Sequence, residues 1–128
     1  MPERESRPLA WLGIQAATAG RSEVALEMDG RADFADGDRI HRGFLAVLAQ
    51  SALEAAIAAE AVPEQAASGF DLQCNFTGVA RAGERLRAVA RVIHSGRRTA
   101  LAECTITGPD GRLIGTATAT FQPPEADG

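Results

Sequence analysis

Hydrophobic positions in this chain follow two periods, and the switch between them sets out the architecture. Apolar residues recur at Leu45, Leu48, Ala49, Ala52, Leu53, Ala56 and Ile57, the three-or-four spacing of one buried helical face. Alanine at Ala46, Ala49, Ala52, Ala55, Ala56, Ala58 and Ala59 favours helix and keeps the helix surface thin, so a sheet can approach it closely. This stretch is predicted to be the one long helix, and the chain is organised around it. A polar loop from Asp36 leads into it, and Val62-Pro63 stops it, because proline cannot continue the hydrogen-bond ladder.

On both sides of the helix the period changes to two. Residues 9–19 and 22–28 are predicted as short strands joined at Gly20-Arg21; in the second, Val24, Leu26 and Met28 alternate with Glu23, Ala25 and Glu27. Asp29-Gly30 ends that strand, and residues 31–40 form the loop into the helix. After a link at 64–68, strands are predicted at 70–77, 84–95, 98–108 and 112–122. Their breaks, Ala82-Gly83, Ser95-Gly96 and Pro109-Asp110-Gly111, carry the turn chemistry of antiparallel hairpins. Within 84–95, Leu86, Ala88, Ala90 and Val92 share one face and Arg85, Arg87, Val89 and Arg91 the other, the mark of a sheet covered on one side.

The order strand, strand, long helix and then four strands in a meander predicts an α+β fold in which a curved antiparallel sheet wraps one central helix. Exposed sheet edges commonly pair between copies, so a homo-oligomer is expected. The expected boundaries are a flexible tail at 1–8, one domain at 9–122 and a second flexible tail at 123–128.

Composition narrows the chemistry. A chain of 128 residues suits one core and is short for two. No apolar run approaches the roughly 20 residues that span a bilayer, and the charged start MPERESRP lacks a secretory h-region; a cytoplasmic location is expected. A net charge of -4 without a basic, aromatic-interleaved patch argues against nucleic acid as a partner. All thirteen positive residues are arginine, which excludes a Schiff-base lysine and a P-loop lysine. Tyrosine is absent too. Cys74 and Cys104 match neither zinc-ligand nor redox spacing and are expected to be buried thiols. With only His41 and His94 as histidines, a histidine-based metal site is not expected. Asp36, Asp38, Arg39, His41 and Arg42 cluster where a helix start exposes backbone N–H groups and the positive end of its dipole, a place suited to an oxyanion. Asp36 and Asp38 read as capping or loop-ordering groups.

Three stretches resemble a known family: the loop-to-helix join Ile40-His41-Arg42-Gly43-Phe44-Leu45-Ala46, the hairpin from Ala90 through His94-Ser95-Gly96-Arg97-Arg98 to Ala100, and the closing strand from Asp110 to Phe121. Together they are similar to the hotdog-fold acyl-CoA thioesterases of the phenylacetate-degradation type, over roughly residues 12–121. The resemblance implies a hotdog fold and hydrolysis of a small or medium acyl- or aryl-CoA. It also implies a homodimer or dimer of dimers, with no cofactor, metal, nucleic acid or membrane.

In that family a loop asparagine precedes a His-Gly-Gly turn at the helix start, and a carboxylate about two turns into the helix acts as nucleophile or general base. The N–H of the residue after the histidine polarises the thioester carbonyl. Carried over by position, the histidine is His41, the N–H donor is Arg42 and Gly43 follows it. The asparagine falls at Ala35 and the carboxylate at Gln50. A carboxamide is no nucleophile, although it can orient a water. Glu54, one turn further on the same face and about 6 Å along the axis, is the candidate replacement acid.

Each residue has a plainer alternative. His41 contacts the carbonyl or orients the loop, or it simply hydrogen-bonds at the helix start. Gln50 lines a site or an ordinary helix surface, and Glu54 is a base, a solvated acid or half of an inter-subunit ion pair. Arg97, Arg98 and Thr99 occupy the hairpin that in the family meets the nucleotide end of coenzyme A. Guanidinium groups suit phosphate there, and a solvated turn is the alternative. Asn75 is a further candidate, reaching a site across a dimer. Two functions stay open: thioester hydrolysis, or binding of acyl-CoA or another small ligand without hydrolysis. A hotdog hydratase using His41 with Glu54 would carry a longer histidine loop than this sequence has.

Overall fold

Helix formation at the centre follows the predicted pattern. In the computed structural model, which describes residues 7–18, 22–60, 70–96 and 99–122, helix α2 spans Arg42–Glu60. Leu45, Leu48, Ala49, Ala52, Leu53, Ala56 and Ile57 are all buried along it. A six-stranded antiparallel sheet covers that face. Its strands are β1 (Gln15–Ala17), β2 (Glu23–Asp29), β5 (Phe70–Phe76), β6 (Arg85–Ser95), β7 (Ala100–Thr107) and β8 (Leu113–Phe121). The small strands β3 (Ala35–Asp36) and β4 (Arg39–Ile40) form a separate hairpin before the helix.

The sheet floor under α2 is built from small residues: Ala88 and Ala90 on β6, Ala100 and Ala102 on β7, Ala117 and Ala119 on β8. Methyl groups there let the helix seat closely. The larger Leu48, Leu53, Ile57, Met28, Leu86, Ile106 and Phe121 fill the remaining space in one continuous core. By length and hydropathy alone, Arg42–Ala59 is apolar enough to cross a membrane, contrary to the sequence expectation. Its apolar face is spent on the sheet instead.

Two expectations are corrected. The first predicted strand is a short helix, α1 (Arg7–Leu12), followed by β1. Pro8 is tolerated in a first helical turn, and Gly13 ends the helix at φ 75°. The Gly13 N–H donates to Ala10 O at 3.1 Å and the Ile14 N–H to Leu9 O at 2.9 Å. This paired arrangement satisfies the last carbonyls, while Leu12 and Ile14 enter the core. Secondly, the last four strands are not a single meander. The order is β1-β2-β6-β7-β8-β5, so β5 lies beyond β8 and β2 takes the edge of β6 that a meander would give to β5.

Charge supports the β2–β6 register. In register, Glu27 faces Arg87 and Asp29 faces Arg85. Arg87 Nη1 donates to Glu27 Oε2 at 2.8 Å, Arg85 Nε to Glu27 Oε1 at 3.1 Å, and Arg85 Nη1 to Asp29 Oδ1 at 2.9 Å. Opposite charges across a ladder stabilise one register over its slips. The bonds from Arg87 and then Arg85 hold the Glu27 carboxyl below its ordinary pKa. A carboxyl depressed by folding contributes stability above its unfolded pKa and loses it as pH falls through the folded value. Glu27→Gln is therefore expected to lower the unfolding free energy measured in urea at about pH 7 by less than about 1 kcal/mol, and the gap to wild type should close as pH falls through the depressed Glu27 value. A gap that stays constant across that range would contradict the assignment.

Of the two cysteines expected to be buried thiols, Cys104 is buried and Cys74 only half-buried. Cys74 on β5 and Cys104 on β7 both face Ala117 on the intervening β8. Two strand spacings separate them by about 9.5 Å, beyond the reach of a disulfide, and both are free. Burial, with a lesser contribution from Cys74, pushes the Cys104 thiol up to about 12. The expected turn at Gly20-Arg21, the helix stop at Val62-Pro63, the link at 64–68 and residues 1–6 and 123–128 lie outside the described residues.

Candidate functional site

The loop before α2 is pinned on several sides. The Phe34 ring stacks on Phe44 of α2 with centroids 4.3 Å apart. Arg31 lies over Phe34 at 4.3 Å and over Trp11 at 5.7 Å. Its guanidinium donates to Asp33 and, at 2.9 Å, to Trp11 O. Backbone bonds complete the hold: the Ile40 N–H donates to Ala80 O at 2.8 Å and the His41 N–H to Phe34 O at 2.9 Å. The helix start is thus fixed relative to the sheet before any substrate arrives.

His41 is the residue before the first helical turn, and its ring bends back over it. Nδ1 accepts from the Gly43 N–H at 3.0 Å, and His41 O accepts from the Phe44 N–H at 3.0 Å. An imidazole thus supplies the capping acceptor usually given by Ser, Thr, Asp or Asn. Gly43 makes room for it, since a Cβ there would stand 3.0 Å from Nδ1. Among the described residues the Arg42 N–H has no hydrogen-bond partner, so it remains a donor at the positive end of α2. His41→Ala is expected to cost about 1 kcal/mol of stability, and His41→Asn to recover most of it. Thermal melts of the three proteins check this.

Arg42 also lines a pocket of about 400 Å³, together with Asp36, Arg39, Ile40, His41, Leu45, Gly78, Val79 and Ala80. Its floor is apolar (Ile40, Leu45, Ala80) and its rim polar (Asp36, Arg39, His41, Arg42). The sequence placed Arg39 in the polar cluster suited to an oxyanion, whereas it did not mark the strip 78–80. The strip reaches the pocket because, after β5 ends at Phe76, the chain runs beside β4, with an antiparallel bridge between Arg39 and Arg81 and the Ile40 N–H donating to Ala80 O, a path no local pattern encodes.

The other candidates lie elsewhere in the protomer. Gln50 and Glu54 stand on the outer face of α2, both half-buried, and Gln50 Nε2 donates to Glu54 Oε1 at 3.0 Å. The carboxamide holds one carboxylate oxygen and leaves the other available. At 1.5 Å per residue, Gln50 lies about 12 Å and Glu54 about 18 Å along the helix from Arg42. Neither lines the pocket of its own chain. Asn75 is exposed on β5, in register with Thr116, and faces away from the helix. Thr99 lies at the β6–β7 tip, where its carbonyl accepts from the Gly96 N–H at 2.8 Å. That tip is the length of β6, roughly 35 Å, from the pocket end of the sheet. Arg97 and Arg98 lie outside the described residues. Among the described residues no cluster of metal-ligating side chains occurs.

One long helix packed on a six-stranded antiparallel sheet, with a helix start opening on a pocket, defines a hotdog protein. Residues 37–114 match the Thioesterase superfamily, and the chain belongs to it. The chain is similar to a Pseudomonas aeruginosa protein provisionally named an esterase, 34% identical over 88 residues that make up 69% of this chain and 65% of that protein. The match thus spans slightly under two thirds of that relative's length. Among solved structures, the fold matches E. coli PaaI, from the phenylacetic acid degradation operon, with TM-score 0.76 and 21% identity, covering 89% of this chain and 86% of that one. A mutant thioesterase from Pseudomonas aeruginosa, with alanine in place of a glutamine, matches at TM-score 0.76 and 26% identity, covering 91% and 86%.

Proposed function

We propose that this chain hydrolyses an acyl-CoA thioester as a homo-oligomer. The carbonyl oxygen accepts the Arg42 N–H, and the observation that carries the reading is that this unpartnered donor belongs to a residue lining the pocket. The carbonyl gains negative charge as it is attacked, and a fixed N–H at a helix start stabilises that charge more than it stabilises the ground state. Glu54 takes a proton from a water, whose oxygen bonds to the carbonyl carbon. The C–S bond then breaks, and the proton passes to the departing thiolate, giving a carboxylic acid and free coenzyme A.

Glu54 lies about 18 Å along the helix from the Arg42 of its own chain, too far for both to meet one carbonyl. In this reading the carboxylate belongs to the outer helix face of a second copy. Gln50 serves it by fixing one oxygen and orienting the other. The testing experiment follows free thiol released from short, medium, long and aryl acyl-CoAs. Turnover of at least one class is expected, and no release from any of them would refute hydrolysis.

A second reading, binding without turnover, is favoured by one observation: Gln50 occupies the position where the resemblance places the carboxylate. It predicts saturable acyl-CoA binding by calorimetry with no thiol released.

A further inference from the structure

The arginines of this protein fall into two groups. Arg31, Arg81, Arg85, Arg87, Arg91 and Arg112 each have a carboxylate partner. Among the described residues Arg39 and Arg42 have none, and both line the pocket at the helix start. Arg7, on α1 and not among the pocket-lining residues, is the other described arginine without one. Asp36 stands on the same rim, in register with Arg39 across the β3–β4 hairpin, yet it forms no ion pair with either arginine. Two positive charges and one negative leave the rim with an excess positive charge.

We propose that Arg39 and Arg42 select a thioester whose acyl group ends in a carboxylate, that is, the thioester of a short dicarboxylic acid. The inference rests on the proposed function, which seats the carbonyl on the Arg42 N–H. An arginine side chain rooted at that residue or three before it reaches only the near end of an acyl chain. The pantetheine arm carries the phosphates of coenzyme A well beyond such reach. A planar guanidinium binds a carboxylate through two parallel N–H bonds, and the apolar floor of Ile40, Leu45 and Ala80 receives the methylenes between the two ends.

The test measures binding before it measures turnover. Protein labelled with nitrogen-15 is titrated with glutarate, with valerate, and with an adenosine bisphosphate that stands for the nucleotide. Glutarate is expected to shift the Arg39 and Arg42 side-chain Nε–H signals and to bind at least about tenfold more tightly than valerate. Raised salt should weaken that binding, because the pair is exposed. Arg39→Gln and Arg42→Gln each keep the backbone N–H and the fold while removing a charge, and together they should abolish the preference.

Equal binding of glutarate and valerate overturns the proposal, and so does tighter binding of the bisphosphate at the same signals. In the thiol-release assay, glutaryl-CoA should then exceed valeryl-CoA in kcat/KM by a similar factor. Selective glutarate binding with no release from any thioester would refute the proposed hydrolysis and leave the dicarboxylate site standing.

Discussion

Glu54→Gln is expected to lower kcat for thioester hydrolysis by about a hundredfold or more, with a much smaller change in KM. Removing a general base commonly costs 10²–10⁴ in rate, and an exchange of oxygen for NH₂ leaves the shape of the side chain intact. Gln50 Nε2 now donates to Glu54 Oε1 at 3.0 Å, and the amide oxygen of the substituted side chain can still accept that bond. Stability should therefore stay within about 0.5 kcal/mol of wild type, which separates a chemical loss from an unfolding one. Gln50→Asp combined with Glu54→Gln moves the carboxylate one turn toward the helix start and should restore part of the rate. Gln50→Asp alone should restore nothing beyond wild type, because two carboxylates one turn apart repel and raise the pKa of one of them. Asp36→Asn is the internal comparison. Asp36 is the carboxylate that shares the pocket rim with the Arg42 N–H, and a collapse there, with Glu54→Gln unaffected, would move the catalytic acid to the loop and sink the role given to Glu54.

The fold was largely legible because its signals are local and periodic. The spacing from Leu45 to Ile57 marked the buried face of α2, and the alternation of Leu86, Ala88 and Ala90 with Arg85, Arg87 and Val89 marked the inner face of β6. Strand order was not legible. Whether β5 pairs with β6 or with β8 depends on which edge β2 takes, and the contacts that mark the β2–β6 edge, Glu27 and Asp29 with Arg85 and Arg87, join residues 56 to 60 apart in the chain. The first helix was missed because residues 9–19 carry too few turns for a helical period to show, and Gly13 signals its end only through backbone geometry.

The site was legible in part. His41, Arg42 and Gly43 stand at the helix start, where His41 Nδ1 accepts from the Gly43 N–H and both His41 and Arg42 line the pocket. Arg39 was legible only as one member of the polar cluster before the helix; what sets it apart, its lack of an acidic partner, becomes visible only once the strands are placed.

Leu48→Ala is expected to cost about 4 kcal/mol of folding stability, in the upper part of the range for a buried leucine, and to lower Tm by about 10–15 °C for a chain of this size. The argument is geometric. Leu48 is fully buried in the same cluster as Ala88, Ala90, Ala102, Ala117 and Ala119. A cavity shrinks when neighbouring side chains change rotamer to fill it, and the loss grows with the volume that remains. Alanine has no rotamer to change, so a floor of methyl groups cannot move into the space that Leu48 leaves. Backbone shift is the remaining route, and it is opposed by ladders on both sides of β6 and β7. The closeness that lets a thin helix sit on the sheet therefore makes each large residue on it costly to remove. Urea unfolding of Leu48→Ala beside Ala58→Ser, an exposed position on the same helix, gives the comparison: the first should lose several kcal/mol and the second less than about 0.5 kcal/mol. A loss below about 1 kcal/mol at Leu48 would mean that the alanine floor does yield, and that the start of α2, with the Arg42 N–H, is held less firmly than its hydrogen bonds imply.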